Sequence, residues 1–240
     1  MLAGLYDGKD TVHIAEIERP MAGPGDALVR IHASGICGSD LLLNADKTEP
    51  DTVPFGHEVA GEIVEVGEGV DRSRIGERVA IDTLGHGKGC TLCYFCRMGQ
   101  FRQCLNLAEA GGHTLGGFAQ YIVRRAAGCY PLSESLSWGE GALVEPLAVS
   151  VHALRRGLMG GGETVAVLGA GNIGLTTVAA ARAYGAGKVL ITARHRHQAE
   201  LAKRLGADEV LPPEGLAFRE ALDQATDGLG ADLTVETVGG

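Results

Sequence analysis

Four cysteines, Cys90, Cys93, Cys96 and Cys104, lie close together in GCTLCYFCRMGQFRQC with the spacing C-x2-C-x2-C-x7-C. Four thiolates this near one another can close a tetrahedron around one zinc ion at ~2.3 Å each, which leaves no position for a substrate and makes such a site structural. A second set of potential ligands, Cys37, His57 and Glu58, does not form a closed set, so a metal held there would keep an open position. The third feature, Gly169-Ala170-Gly171-Asn172-Ile173-Gly174, fits G-x-G-x-x-G. It follows the run TVAVL and opens a helical stretch, the setting in which this pattern binds a dinucleotide. Gly169 permits a tight turn, Gly171 lets the backbone approach a pyrophosphate, and Gly174 lets helix and strand pack closely. The free N–H groups of the helix start, at Asn172 and Ile173, then face the phosphates.

A carboxylate that holds the 2′-hydroxyl of NAD is expected ~20 residues further on. The second strand instead ends Ile191-Thr192-Ala193-Arg194-His195-Arg196. A small residue at Ala193 leaves nothing to repel a 2′-phosphate, and the guanidinium of Arg194 offers it a fork of donors, with Arg196 nearby. The sequence therefore favours NADP over NAD. Arg196 and His197 also fit the solvated first turn of a helix.

These elements need a scaffold, and the chain divides into two kinds of pattern. Residues 1–136 read as β-rich, with strand-like runs at 27–37, 58–67, 77–81 and 116–123 separated by Gly and Pro clusters such as MAGPGD. The metal lobe, 85–107, is inserted between strands. Residues 137–162 read as a helical connector: 137–157 has helical periodicity interrupted at Pro146, with Ser137 as N-cap and Glu140 as its capping-box partner. From 163 to 240 strand and helix alternate, which implies a doubly wound parallel sheet. Such a domain has six strands; four are legible here, so the sheet reads as truncated after the fourth strand and the chain as part of a longer protein, weakly active or inactive by itself.

The chain has 240 residues, 45% of them hydrophobic, a mean hydropathy of +0.08 and 37 glycines. That is enough for one large or two modest domains, rich in turns. The net charge is −9, which argues against nucleic acid as a partner, because phosphate backbones attract basic surfaces. There is no secretory leader pattern and no apolar run near the ~20 residues of a membrane span. A cytoplasmic location is the expectation, and there closely spaced cysteines read as metal ligands before disulfides.

Taken together, the four-cysteine lobe, Gly35-Ile36-Cys37-Gly38-Ser39-Asp40, Gly56-His57-Glu58 and the glycine fingerprint resemble the zinc-dependent medium-chain dehydrogenase/reductase superfamily along the whole chain. Gly56-His57-Glu58 and Val144-Glu145-Pro146-Leu147-Ala148-Val149 are similar to its sorbitol (polyol) and threonine dehydrogenase branch. The resemblance implies an α/β protein: a GroES-like β-barrel domain followed by a Rossmann domain, with the active site in the cleft between them. It implies one structural and one catalytic zinc, Cys37 and His57 as catalytic zinc ligands, Glu58 as a third, and Glu145 as a carboxylate that ligates the zinc or binds its water. Ser39 matches the hydroxyl that passes the alcohol proton outward. Many relatives have a relay histidine after this point, where this chain has Leu41, Leu42 and Leu43. Cys129 matches no ligand and reads as a core residue. The activity implied is hydride transfer between a secondary alcohol, a polyol or sugar alcohol, and NADP or NAD, by a protein that is homo-oligomeric at full length.

Two enzyme readings and two others stay open at this point. A threonine or amino-alcohol dehydrogenase belongs to the same branch. An iron–sulfur electron carrier could use the same four cysteines, although in ferredoxins the fourth is followed by Pro and here by Leu105. A zinc-ribbon module with Arg97 and Arg102 on nucleic acid conflicts with the acidic charge.

Overall fold

The computed structural model describes residues 1–8, 11–45, 51–83, 85, 87–107 and 116–239, with only the backbone given for 42–45. The chain divides into two compact units, Met1–Glu145 and Pro146–Gly240. The division falls inside the segment that reads as a connector from the sequence.

The first unit is antiparallel. β1 (Leu2–Tyr6) and β2 (Val12–Glu16) form a two-stranded ribbon. β3 (Asp26–Gly35), β4 (Glu58–Val66), β5 (Arg78–Asp82), β6 (Tyr121–Arg125) and β7 (Cys129–Pro131) form one sheet in the order β6-β3-β4-β5-β7. α1 (Gly38–Ala45) follows β3, and the short α2 (Tyr94–Arg97) lies in the cysteine lobe between β5 and β6. Alternate strand residues point to one face, and on that face Ala27, Val29, Val59, Ile63, Val79 and Ile122 are at most 1% exposed. Cys129 joins this core as a buried thiol. This is the half that the sequence reads as GroES-like.

Two local features set the aim of the site-bearing strands. Ile31 pairs with Gly61 and Ala33 with Ala60, so His32 is an extra residue on β3 and bends it. Its ring stacks on Trp138 with centroids 4.2 Å apart, and the Arg78 guanidinium also rests on Trp138, at 4.2 Å. Trp138 opens α3 (Trp138–Ala142). Here the structure differs from the single helix with a break at Pro146: α3 ends before Leu143 and α4 (Val144–Arg156) begins afresh. Two glycines weaken α3, whereas Pro146 sits in the first turn of α4, where no backbone donor is needed. The capping box stands: the Ser137 hydroxyl accepts the Glu140 N–H at 3.2 Å, and the Glu140 carboxylate accepts the Ser137 N–H at 2.7 Å.

The second unit is a parallel α/β sheet. β8 (Thr164–Leu168), α5 (Asn172–Ala183), β9 (Lys188–Thr192), α6 (Arg196–Arg204), β10 (Glu209–Leu211), α7 (Gly215–Ala225) and β11 (Leu233–Glu236) alternate, and the strands lie in the order β10-β9-β8-β11. That is the 3-2-1-4 order with which a Rossmann sheet begins. Val165, Val167, Val189 and Ile191 are at most 1% exposed because helices cover both faces of a parallel sheet. Among the described residues no helix is long and apolar enough to cross a membrane.

One polar network ties α5 to the α6–β10 turn. Arg182 donates to Gly206 O and Ala186 O and pairs with Asp208, which also accepts the Val189 N–H at 2.7 Å. Burial pushes the Asp208 carboxyl up, but the Val189 N–H, Arg182 and Lys188 outweigh it and hold it below the usual range. A depressed carboxylate stabilises the fold above its unfolded-state pKa of about 3.9 and stops doing so as pH falls through the lower folded value. Asp208→Asn is expected to lower the melting temperature by a few degrees at neutral pH, with the gap from wild type closing below about pH 4; thermal melts across pH check this.

Candidate functional site

Sheet register builds the open ligand set. Gly35, at the end of β3, pairs with Glu58, the first residue of β4, which in turn pairs with Asp82 at the end of β5. Cys37 lies two residues past β3 and His57 directly before β4, so both come to the same end of this antiparallel pair. The ligand atoms of Cys37, His57 and Glu58 all lie within 4.8 Å of one another. Glycine is required on either side. A Cβ on Gly35 would run into the Glu58 carboxylate, and Gly56, at φ +98°, would press a Cβ to 3.0 Å from the Phe118 ring. The left-handed Gly56 is what lets the adjacent residues 57 and 58 turn toward one point.

Around these three sits an excess of negative charge. Asp40, buried in the first turn of α1, accepts the Cys37 N–H at 2.9 Å and lies 3.5 Å from His57 Nδ1. Held there, the imidazole offers its other nitrogen to a metal. Thr83 donates to His57 O at 3.1 Å. Burial raises the pKa of Glu58, with His57 pulling it down and Asp40 adding to the push. Burial also raises Glu145, with His57 opposing and Glu58 and Asp82 reinforcing. Glu145 is thus in electrostatic reach of the set but outside the cluster of ligand atoms. Crowded, desolvated carboxylates beside a thiol and an imidazole are costly without a cation, so the donor set fits a divalent metal. Ser39 lies half-buried in the first turn of α1, two residues from Cys37. Leu41 is exposed; the side chains of Leu42 and Leu43 lie outside the described residues.

The four-cysteine lobe has the geometry of a closed site. Cys90 Sγ to Cys96 Sγ and Cys93 Sγ to Cys104 Sγ are each 4.0 Å, and the four sulfurs lie within 4.8 Å of one another. A tetrahedron with ~2.3 Å zinc–sulfur bonds has edges of about 3.8 Å. Backbone N–H groups aim at the sulfurs: Cys90 N and Asn106 N at Cys104, and Cys93 N at Cys90. The Cys93 and Leu92 N–H groups bring the Cys90 thiol down to about 6, whereas burial pushes Cys96 up to about 12. Full deprotonation of all four therefore needs a cation among them.

The glycine fingerprint opens a cleft of about 600 Å³ in the second unit, lined among others by Gly169, Gly171, Thr192, Arg194, His195 and Phe218. Gly169 takes φ +101°. A Cβ on Gly174 would run into Gly169 O, so helix and turn touch there, while a Cβ on Gly171 would meet nothing within 4 Å. That space beside a helix start suits a pyrophosphate. Thr192 accepts the Gly169 N–H at 2.8 Å and Thr237 donates to Leu168 O at 2.8 Å, clamping the turn. Asn172, Ile173 and Gly174 form the first turn of α5. Arg194 faces the cleft. Ala193 packs on the core instead, and Arg196 is solvated and paired with Glu200 at 2.7 Å. Asp40, Thr192, His195, Phe218 and Thr237 are additions of the structure to the residues read from sequence. Asp40, Thr192 and His195 had a local signal, lying in the runs around Cys37 and the end of the second strand.

The alcohol dehydrogenase GroES-like domain model matches residues 23–134, and the zinc-binding dehydrogenase model matches 172–240. Sorbitol dehydrogenase of Bacillus subtilis (strain 168) is 34% identical over the whole chain, which spans 69% of it. L-threonine 3-dehydrogenase of Pyrococcus abyssi is 36% identical over 94% of the chain, which spans 65% of it. The chain thus covers about two thirds of these relatives' length. Two solved structures align over the whole chain: an alcohol dehydrogenase from Escherichia coli CFT073 complexed with NADH (31% identity, TM-score 0.84, 70% of that chain covered) and a zinc-binding dehydrogenase from Sinorhizobium meliloti 1021 bound to NADP (30%, 0.81, 70%). The chain belongs to the zinc-dependent medium-chain dehydrogenase/reductase superfamily, in its polyol and threonine dehydrogenase branch.

Cys104→Ser is expected to remove about one zinc per chain and to lower the melting temperature markedly, because a structural zinc contributes directly to folding. Cys37→Ala is expected to lower the metal content of the open set with a smaller fall in melting temperature than Cys104→Ser, because the strands that carry that set have their own apolar core. Metal analysis and thermal melts on the two variants check both.

Proposed function

We propose that the chain carries out hydride transfer between a secondary alcohol, of the polyol or sugar-alcohol class, and a nicotinamide nucleotide, with one open and one closed zinc site. The open Cys37–His57–Glu58 set carries this reading, since a three-ligand set keeps a coordination position for substrate, whereas a closed four-ligand set does not. When bound, the metal supplies Lewis-acid polarisation of the alcohol oxygen and the nicotinamide ring supplies a hydride acceptor. The chain's own residues do the rest. Cys37, His57 and a carboxylate, Glu58 or Glu145, hold the metal. Asp40 orients His57, and Ser39 accepts the alcohol proton and passes it outward. With no relay histidine in the segment after Asp40, that proton leaves by another group or by water. Gly171 and the first turn of α5 seat the pyrophosphate, and Arg194 reads a 2′-phosphate, which favours NADP.

Supporting this reading are the similarity to sorbitol dehydrogenase and the absence of a carboxylate at the end of β9. Threonine oxidation is the second reading, favoured by the equal similarity to L-threonine 3-dehydrogenase. Titration of nucleotide fluorescence tests the cofactor: wild type is expected to bind NADPH at least about tenfold tighter than NADH, and Arg194→Ala to remove most of that difference, since a charge-assisted bidentate contact contributes about 1.5–3 kcal/mol. Equal binding of the two nucleotides by wild type overturns the NADP assignment. Turnover assays with a polyol panel and with L-threonine separate the substrate readings, and iron with brown colour in place of zinc would overturn both.

A further inference from the structure

Three hydroxyls converge beneath the first turn of α5. Ser150 of α4 and Thr177 of α5 are wholly buried, and Thr176 is half-buried. All three reach the carbonyl of Ile173: Thr177 Oγ1 at 2.7 Å, Thr176 Oγ1 at 3.0 Å and Ser150 Oγ at 3.2 Å. They also join one another, Ser150 to Thr176 at 2.8 Å and Thr177 to Ser150 at 3.1 Å, and reach Asn172 O at 2.9 Å and Pro146 O at 3.3 Å. Three protons thus have three carbonyl acceptors among them, and the network is satisfied.

Serine and threonine in helix interiors are neutral to unfavourable, and an apolar contact between α4 and α5 would pack as well. A satisfied buried network does something an apolar contact does not: it fixes orientation. The peptide unit is planar, so a carbonyl and the N–H of the next residue turn together and point opposite ways. Pinning Asn172 O and Ile173 O from below therefore sets the directions of the Ile173 and Gly174 N–H groups. Both belong to the first-turn donors that have no partner inside a helix. We infer that Ser150, Thr176 and Thr177 are positioning residues for the dinucleotide, holding these two N–H groups on the pyrophosphate. The inference rests on the dinucleotide reading of the cleft.

The test compares Thr177→Val, which keeps shape and removes the hydroxyl, with Thr177→Ser, which keeps the hydroxyl, and with Ser150→Ala. Each is titrated with NADPH and with adenosine 2′-monophosphate, which has no pyrophosphate. Thr177→Val and Ser150→Ala are expected to weaken NADPH about five- to tenfold, the effect of one or two misdirected hydrogen bonds, with adenosine 2′-monophosphate unchanged and Thr177→Ser within about twofold of wild type. Unchanged NADPH affinity in both hydroxyl-deleted variants, equal loss for the two ligands, or failure of Thr177→Ser to rescue overturns the inference. Failure of wild type to bind either NADPH or NADH removes the dinucleotide reading and this inference with it. Should Thr177→Val fail to fold, Ser150→Ala and Thr176→Val carry the same comparison.

Discussion

The pairing of Gly35 with Glu58 is the contact on which the open site depends. Strand side chains alternate with period two, so one residue of slip between β3 and β4 would turn Glu58 to the opposite face. The same slip would move Cys37 and His57 apart along the edge. The bulge at His32 helps to set this register, and its ring is fixed by the stack on Trp138 that Arg78 completes. Hydrophobic alternation on the core face holds the remainder of the pairing in place.

Register brings the ligands together but also gathers like charge. Asp40, Glu58 and Glu145 act on one imidazole, with Asp82 acting on Glu145, and burial raises Glu58 and Glu145. A fold left to optimise stability would not crowd desolvated carboxylates in this way, since taking like charges out of water costs several kcal/mol. A divalent cation turns the cost into affinity. The cysteine lobe solves the same problem differently, with backbone N–H groups favouring thiolates and the four sulfurs already near tetrahedral spacing. The lobe has little apolar core of its own: Leu92, Tyr94, Met98 and Leu105 are all exposed. Its order therefore depends on its polar centre.

The second unit works by shape more than by charge. Gly174 is a glycine because the helix touches the turn there, and Gly169 because the turn takes φ +101° with Val238 and Thr237 close against it; Gly171 is a glycine with open space beside it. Thr192 and Thr237 clamp the turn from neighbouring strands, and the buried hydroxyls grip α5 from below. Between them the backbone donors of one helical turn are aimed before any ligand arrives, which lowers the ordering cost of binding.

Residue types and short spacings in the sequence carried the cysteine lobe, the glycine fingerprint, the missing carboxylate after the second strand, the Ser137 capping box and the change from β-rich to alternating β and α. These are local: the chemistry lies within one turn, one loop or one strand–helix junction, and the chain's own geometry limits what such spacings can do. Tertiary structure alone decided the β1–β2 ribbon, the helix break at Leu143, the orientation of His57 by Asp40, and the roles of Thr192, Thr237, Ser150 and Thr177. These depend on register and on packing between segments far apart in the chain. A buried threonine and a solvated one are the same letter until the neighbouring helix is in place.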